Sequence, residues 1–336
     1  MEELNRAAFL AKSEWKGSLE LVLEKEKTNL ELTHLDKVFW QEEGYTKGDL
    51  LKYYLEVAPY MLPHLMDRPA FLKRYPNGYR PGSSLSSPNG PNRGIDFRNK
   101  DGGFFQQNFE PKSPPPFLQT VRLPNDRNQP VNYAVYNGLA TLLYLTNLGT
   151  IAHNPWHSRL SDLDHPDYIA IDLDPHGAPF ENVLEVALAV RKALEHAGGL
   201  LSYVKTSGST GLHLFVPLHR GRYDYAQAAS FAEELTGRVA KQYPKIATLE
   251  RRVDKRLPGQ IYLDWQQNAR GKAIAAVYSV RAKPGATVSM PLSWEEVEKG
   301  DFSMRDFTIK TAPARLRKLG DLWQDLAKHK QSLPQQ

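Results

Sequence analysis

The chain contains 336 residues, with 43 Lys and Arg, 38 Asp and Glu, and no cysteine. The lack of cysteine excludes disulfides, zinc–thiolate sites and thiol catalysis, and it suits a reducing cytoplasm. The N-terminus has no apolar signal-peptide core, and the most apolar stretch, "LATLLYLTNLG", is too short to span a bilayer. We therefore expect a cytoplasmic protein with no membrane partner. The net charge of +5 favours a polyanionic partner, although many enzymes with no nucleic-acid role share such an excess.

The composition along the chain predicts one catalytic unit between two short flanking segments. Residues 1–30 are predicted to be a helical extension, residues 31–323 a single catalytic domain and residues 324–336 a tail. Inside the domain, "TKGD" from Thr46 predicts the capping box of a helix. A strand, "RPAFLKRYP", follows, and then a loop rich in Gly, Pro, Ser and Asn over residues 77–103. Loops of this length inside compact domains are functional or disordered.

The second half of the chain alternates between helical and strand patterns. A helix is predicted over residues 133–147, with Gly149 at its C-terminal end. The later elements are strand "YIAIDLD", helix "ENVLEVALAVRKALEHAGG", strands "LSYVKTSG" and "GLHLFVPL", helix "YDYAQAASFAEELTGRVAKQY", and strands "GQIYLDW" and "KAIAAVYSVRA". Because hairpin-like strands mingle with the helices, the pattern predicts a mixed α/β (α+β) fold with central, largely antiparallel or mixed sheets flanked by helices.

The stretch "YIAIDLDP" ends a buried strand pattern with Asp172 and Asp174. Residues two apart on a strand share a face, so their carboxylates project together. Adjacent carboxylates repel each other and are costly to desolvate, and a hard cation such as Mg²⁺ or Mn²⁺ offsets both effects. The alternative is a strand-end turn, because Asp-Pro is common in turns.

The stretch "KTSGSTGLHLFVPL" has the composition of a loop whose backbone amides bind an anion. Ser207, Gly208 and Thr210 lie in this loop, and His213 begins the strand that follows. The stretch is not a Walker A loop, because no Lys-Ser or Lys-Thr follows the second glycine. Ser207 alone is typical of a turn and His213 alone of a partly buried histidine. Together, close to the paired carboxylates, they predict a triphosphate-binding loop.

The stretch "GQIYLDWQQNARGKAIAAVYSVRAKPG" adds a third acid and several cations. Asp264 lies in an apolar strand pattern, where an isolated carboxylate is expensive, so it needs a partner such as the same cation. Lys272, Arg281 and Lys283 follow, the last two on one predicted strand face. They are either a solvated strand edge or contacts to the phosphates of a nucleotide or nucleic-acid strand. Three carboxylates, an anion loop and flanking cations describe two-metal phosphoryl transfer with Mn²⁺ or Mg²⁺.

The chain resembles a known family, the polymerase domain of bacterial DNA ligase D in the primase-polymerase (archaeo-eukaryotic primase) superfamily. The resemblance extends from about Leu32 to Trp323. It is carried by the order and combined length of "LTHLDKVFW", "TKGDLLKYY", "PHLMDRPAFLKRYPNG", "GGFFQQ", "NPWHSRL", "DYIAIDLDP", "KTSGSTGLHLFVPL", "YLDWQQNARGKAIAAVYSVRAKPGATVSMPLSW" and "PARLRKLGDLW".

The resemblance implies template-dependent nucleotide addition at 5′-phosphorylated DNA ends and gaps in non-homologous end joining, with manganese favoured and ribonucleotides preferred over deoxyribonucleotides. It also implies a Ku-like end-binding partner and a DNA ligase. The residues that match the family's functional positions are the catalytic metal-binding acids Asp172, Asp174 and Asp264, the triphosphate contacts Ser207 and His213, the nucleotide contact Arg281, the 5′-phosphate contacts Lys37 and Lys47, and the template-side residues Lys73, Arg74, Phe104 and Phe105.

The chain departs from the family pattern at several of these places. Thr210 and Lys283 stand where Lys and Arg are common, and His34 stands where Asn is frequent. The histidine that the family has before "PW" is Asn154 here, with His153 just upstream. The loop over residues 77–103 is longer than usual, and we hypothesise that its basic residues contact DNA near the break.

Three other functions compete with end extension. A primase would start chains with the same site. A two-metal nuclease would need no triphosphate loop, so Ser207 and His213 argue against it. A non-catalytic module that bridges DNA ends would need only Lys37, Lys47 and the two phenylalanines, and it would not explain three intact carboxylates.

Overall fold

A computed structural model describes residues 2–82, 101–106, 108–125 and 128–334. Residues 83–100, which form most of the loop that we expected to contact DNA, lie outside the described residues.

Helices and short strands are interspersed along the described chain, and several strands follow one another without an α-helix between them. The helices are α1 (Arg6–Ala11), α2 (Lys47–Leu65), α3 (Leu139–Asn147), α4 (Phe180–His196), α5 (Tyr225–Gln242), α6 (Trp294–Lys299) and α7 (Ala312–Leu319). The strands are β1 (Glu2–Asn5), β2 (Leu19–Leu23), β3 (Thr28–Leu32), β4 (Val38–Trp40), β5 (Tyr45–Thr46), β6 (Arg68–Arg74), β7 (Phe104–Gln106), β8 (Gln119–Pro124), β9 (Pro130–Tyr136), β10 (Thr150–Pro155), β11 (Tyr168–Asp174), β12 (Tyr203–Thr206), β13 (Leu212–Pro217), β14 (Ala247–Thr248), β15 (Ile261–Asp264) and β16 (Pro291–Leu292).

Two larger sheets carry most of the fold. The six-stranded sheet has the order β14-β15-β11-β13-β12-β16, and the five-stranded sheet has the order β10-β6-β9-β8 with β7 also paired to β6. Most neighbours in both sheets are antiparallel, although β14 and β15 are parallel. The mixed α/β architecture with largely antiparallel sheets is therefore confirmed.

The six-stranded sheet is anchored by the apolar face of its central strand. Ile169, Ile171 and Leu173 of β11 are fully buried, and α4 and α5 pack against this strand and each other. The alternate face carries Asp172 and Asp174, which are only partly buried. One side of the strand thus holds the helices, and the other presents carboxylates to an open cleft.

The helix predicted from Thr46 is confirmed. The Thr46 hydroxyl accepts a hydrogen bond from the Asp49 amide at 3.2 Å, and the Asp49 carboxylate accepts one from the Thr46 amide at 2.9 Å. This reciprocal capping box supplies partners for amides at the helix start, which otherwise have none. The box fixes the start of α2 beside Lys47.

The prediction of a helical extension over residues 1–30 is wrong. Only α1 is helical there, whereas β1, β2 and β3 form a three-stranded sheet. Burial along β2 alternates strictly, with Leu19, Leu21 and Leu23 inward, which is the period of a half-buried strand.

Two further element predictions are wrong. Residues 133–136 belong to β9 and not to a helix, because they pair with β8 on one side and β6 on the other. The apolar run from Lys272 does not form a strand. Tyr278 adopts a left-handed φ of 64°, and the Val280 amide donates to the Tyr54 hydroxyl at 2.9 Å instead of to a neighbouring strand.

The N-terminal sheet is tied to the rest of the fold through Glu26. Its carboxylate accepts hydrogen bonds from the amides of Leu139 at 2.7 Å and Ala140 at 2.8 Å, the first residues of α3. Gly138, which precedes the helix, offers no side chain for this purpose, so a residue from a distant segment acts as the cap. Within the described part of the chain, no helix is long and apolar enough to cross a membrane.

Candidate active site

The register of the six-stranded sheet brings the three predicted acids together. β11 lies between β15 and β13 and is antiparallel to both. Asp172 stands directly opposite Asp264 on one side and opposite His213 on the other. Asp174 shares the face of Asp172, so three carboxylates from two strands occupy neighbouring positions on one surface.

The charge at this point is not balanced within the chain. Burial, followed by the charges of Asp264 and Asp174, raises the pKa of Asp172 to about 7, against the smaller opposing effects of Arg281 and Lys205. The raised pKa means that the ionised form of Asp172 is disfavoured. A cation placed among the acids would stabilise that form.

The side chains of the acids are held by protein partners. The Asp264 carboxylate accepts hydrogen bonds from the Gln266 amide at 3.0 Å and from Gln267 Nε2 at 2.7 Å. Asp174 Oδ2 lies 3.3 Å from Arg256 Nη1. Among the residues that the structure describes, no three His, Asp or Glu side chains are already grouped as metal ligands.

The residues nevertheless fit a divalent cation. The donor set consists of carboxylate oxygens, which Mg²⁺ and Mn²⁺ prefer, and it concentrates like charge that the chain does not neutralise. The cations would be held by Asp172, Asp174 and Asp264. To bind a cation with both carboxylate oxygens, Asp264 would have to give up its hydrogen bond from Gln267.

The Ser-Gly loop is a compact turn closed by its own serine. Ser207 Oγ accepts hydrogen bonds from the amides of Ser209 and Gly211, both at 3.1 Å. Gly208 has a φ of +67°, and a Cβ at Gly211 would lie 1.9 Å from the Leu173 oxygen. Both glycines are required, because a side chain would strain the first and collide with β11 at the second.

A cleft of about 590 Å³ joins the loop to Asp172 and Asp174, and Asp264 is not among the described residues that line it. Arg281 lies at its edge, where Nη1 donates to the Ser207 carbonyl at 2.8 Å. Thr210 and Lys283 also line the cleft, and Lys283 is exposed. The predicted nucleotide residues that line this cleft are Ser207, Thr210, His213, Arg281 and Lys283. Lys272 does not line it and borders a smaller neighbouring cavity.

Lys205 is a buried member of the site that the sequence analysis missed. Its side chain is completely buried, and its Nζ lies 2.7 Å from His213 Nδ1 and 2.6 Å from Ser289 Oγ. His213 Nε2 in turn lies 3.4 Å from Asp172 Oδ1. Burial lowers the pKa of Lys205 well below its usual value. The lysine therefore orients the histidine ring from behind while the other ring nitrogen faces the acids.

The structure distinguishes His153 from Asn154. Asn154 lines the cleft, whereas His153 is fully buried between the Tyr136 hydroxyl at 2.9 Å and Thr146 Oγ1 at 3.0 Å. Burial lowers the pKa of His153 to about 3. Adjacent strand residues face opposite sides, so the residue before "PW" that reaches the cleft carries an amide instead of an imidazole.

The two predicted 5′-phosphate residues lie side by side at the start of α2. The Lys47 amide donates to the Lys37 carbonyl at 2.8 Å. Lys37 Nζ contacts the Pro76 carbonyl at 2.6 Å, and the buried Lys47 Nζ contacts the Thr33 carbonyl at 2.6 Å. Burial, with the neighbouring charges of Lys37 and Arg74, lowers the pKa of Lys47 to about 8. A bound anion would therefore stabilise the charged form of Lys47.

The predicted template residues form a small basic and aromatic surface on paired strands. Lys73 pairs with Phe105, and Arg74 pairs with Phe104, across β6 and β7. The Lys73 ammonium lies 5.4 Å from the Phe105 ring centroid and 2.6 Å from Asp101 Oδ2. Lys73 and Phe105 line the cleft, and Arg74 and Phe104 do not.

Comparison with known proteins defines the class as a primase-polymerase domain. A family model described as "LigD, primase-polymerase domain" matches residues 46–323. The chain belongs to this LigD primase-polymerase domain family.

Relatives and a solved structure agree with the family match. The chain is 31% identical over 307 residues to the bifunctional non-homologous end joining protein LigD of Bacillus subtilis, covering 91% of this chain and 45% of that protein. It is 30% identical over 294 residues to the multifunctional LigD of Mycolicibacterium smegmatis, covering 87% of this chain and 35% of that protein. The polymerase domain from Mycobacterium tuberculosis Ligase D in complex with DNA matches with a TM-score of 0.75 and 27% identity, over 89% of this chain and 98% of that one. The chain thus spans less than half of the curated relatives that it matches.

Proposed function

We propose that this domain is a template-dependent nucleotidyltransferase that extends DNA ends and fills gaps during non-homologous end joining. The observation that carries the proposal is the strand register that places Asp172 opposite both Asp264 and His213, with the Ser207 loop at the same cleft. The relatives are named as end-joining proteins, which supports the repair context. A ligase and a Ku-like end-binding protein would be the partners.

In the proposed reaction, a primer 3′-hydroxyl attacks the α-phosphate of the incoming nucleotide and pyrophosphate leaves. Two divalent cations, Mn²⁺ or Mg²⁺, held by Asp172, Asp174 and Asp264, would supply neutralisation of the triphosphate charge and acidification of the hydroxyl. The Ser207–Gly211 loop and Arg281 would bind the triphosphate, and Lys205 would keep His213 oriented towards it. Asp264 would mainly serve the primer side.

The DNA would bind on the other side of the cleft. Lys37 and Lys47 would receive the 5′-phosphate of the break, and Phe104 and Phe105 would stack on template bases beside Lys73 and Arg74. The similar polymerase domain that was solved in complex with DNA supports DNA binding by this domain. Contacts to phosphates and to the faces of bases predict little preference for base sequence.

The test is primer extension on gapped, 5′-phosphorylated DNA with Mn²⁺ or Mg²⁺ and with NTPs or dNTPs. We expect manganese-favoured extension that prefers NTPs and is lost in Asp172→Ala. Tight binding of the 5′-phosphorylated end without extension would instead support the end-bridging module. Shortening of the DNA with metal alone would indicate a nuclease, and synthesis without a primer would indicate a primase.

A further inference from the structure

A second cavity, of about 390 Å³, lies next to the catalytic cleft and shares part of its wall. Ile274 and Ala275 line both spaces. The volume falls within the range of small-molecule sites, roughly 300–1,000 Å³. No residue assigned above to metal, nucleotide or DNA binding lines this cavity.

The polar end of the cavity holds more positive than negative charge. Asp167 is the only carboxylate among the described residues that line it. Arg68 and Arg159 both contact Asp167 Oδ2, the latter at 2.8 Å, and Arg220 Nε lies 3.4 Å from Asp167 Oδ1. Three guanidinium groups therefore share one carboxylate, and Lys330 lies at the same cavity.

The two inner arginines also have structural partners, whereas Arg220 and Lys330 lie on the solvent-exposed side of the cavity. Arg68 donates to the carbonyls of Trp156 and His157, and Arg159 donates to the Met66 carbonyl. The Arg220 side chain is 56% exposed, and its ion pair is long. Lys330 is exposed and makes no ion pair with any described residue. Arg220 Nη2 also donates to Ser161 Oγ at 3.3 Å. At Arg220 an anion would therefore compete only with two long contacts of an exposed side chain, whose exchange would not disrupt the fold.

The other wall of the cavity is aromatic. Tyr168, Phe215 and Trp323 form a continuous series, with ring centroids 4.4 Å and 5.0 Å apart. A ligand with an anionic group and a planar apolar body would match both ends, because guanidinium groups bind phosphate in a bidentate manner and aromatic walls favour apolar rings.

We propose that this cavity binds a nucleotide-sized phosphate monoester, with the phosphate between Arg220 and Lys330 and the base towards the aromatic wall. The ligand would contact the chain segment that also walls the catalytic cleft. The phosphate monoester can belong to a free mononucleotide or to the 5′ end of a short strand. The proposal does not depend on polymerase activity, because binding is measured without metal or primer.

The experiment is calorimetric titration of the full chain with AMP in the presence of a chelator. The test variant is Arg220→Gln/Lys330→Gln. The matched control is Arg222→Gln/Lys328→Gln, which removes the same charge from exposed neighbours that do not line the cavity. We expect the test variant to weaken AMP binding by at least about tenfold and the control to leave it unchanged.

The variant Arg281→Gln distinguishes AMP binding in this cavity from AMP binding in the catalytic cleft. Arg281 lines the cleft and not this cavity, so the variant should bind AMP with unchanged affinity. Loss of binding in that variant, equal affinity in the test variant, or no saturable binding by wild type would overturn the proposal. A 5′-phosphorylated trinucleotide compared with AMP identifies the source. Comparable affinity indicates a strand end, and exclusion of the trinucleotide indicates a free nucleotide. Both results support the site.

Discussion

The two large sheets differ in how far their charged side chains are paired within the chain. On the six-stranded sheet, Asp172, Asp174 and Asp264 leave negative charge that the chain does not balance. On the five-stranded sheet, Lys73 is already paired with Asp101, and Arg74 donates to the Leu148 carbonyl and to Gln106. The first surface therefore favours a cation from outside, as proposed above. The second must exchange internal partners for DNA, so its net gain on binding is smaller.

The largest expected effect comes from removing one of the uncompensated acids. Asp264→Asn should reduce extension by about a thousandfold, the scale for loss of a catalytic group, while largely sparing nucleotide binding. Thermal stability should stay constant or rise, because a like charge is removed. Primer extension and thermal unfolding measure the two effects. Asp254→Asn, an exposed aspartate in the preceding turn, is the control. Normal extension by Asp264→Asn would remove the acid from the mechanism.

The next effect tests whether the catalytic sheet depends on the buried Lys205 side chain. Lys205→Met should lower kcat by about 10–100-fold, as for groups that orient a site residue, with a smaller change in KM for the nucleotide. The loss should be strongly non-additive with His213→Asn, because the lysine acts through that ring. Additive losses would show that Lys205 acts only on stability. Lys192→Met, on the exposed face of α4, is the matched control.

On the DNA side, Phe105→Ala should weaken binding of a single-stranded template overhang by about 1–3 kcal/mol. Phe104→Ala should have a smaller effect, because Phe104 does not line the cleft. Fluorescence anisotropy with overhangs of several sequences measures the loss, which should be the same for each sequence. Phe117→Ala tests a half-buried phenylalanine away from β7. An equal loss in this control would indicate a general effect on folding.

A pH titration tests whether Lys47 binds the 5′-phosphate. Burial lowers the pKa of Lys47 to about 8. Its charged form is present below this pKa and is lost as the pH rises through it. The preference for 5′-phosphorylated over 5′-hydroxyl ends should therefore fall by up to about tenfold from about pH 7 to about pH 9. Lys47→Met should lower the preference at low pH and remove its pH dependence. Lys25→Met, on an exposed turn, should retain both. A flat profile in wild type would contradict the assignment.

The smallest expected effect is on stability, from a residue outside both surfaces. Glu26→Ala removes the cap of α3 and should lower the free energy of unfolding by about 1 kcal/mol, because two helix amides lose their acceptor. Denaturant unfolding measures this change. Extension should remain normal at temperatures where the variant is folded. The neighbouring Glu24→Ala provides the comparison, and an equal loss of stability there would refute the cap.

The sequence allowed the acids and the anion loop to be predicted because their signals are local. An apolar strand interrupted by carboxylates, and a Ser-Gly turn before a strand, are each visible within a few residues. Lys205 gave no such signal. Its partners His213 and Ser289 meet it only through strand pairing and a distant loop. An inward position on β12 occupied by a lysine was the one available clue.

The wrong predictions of secondary structure also concern features that the local sequence does not determine. The alternation of Leu19, Leu21 and Leu23 was visible, but the surrounding charges suggested a helix. The run after Lys272 has strand composition, yet its backbone bonds to Tyr54 and His153 from other elements. Tertiary hydrogen bonds overrode local propensity there. The division into segments 1–30, 31–323 and 324–336 stays a prediction.

The pairing of β11 with β15 also constrains when the protein can become active during synthesis. Asp172 and Asp174 lie on the same short strand, but Asp264 joins them only after two helices and three further strands have been made. A nascent chain that has not yet released β15 from the ribosome holds two of the acids without the third. Under the proposed mechanism, the domain would be inert until β15 has emerged, and a product truncated before Asp264 would not extend DNA ends.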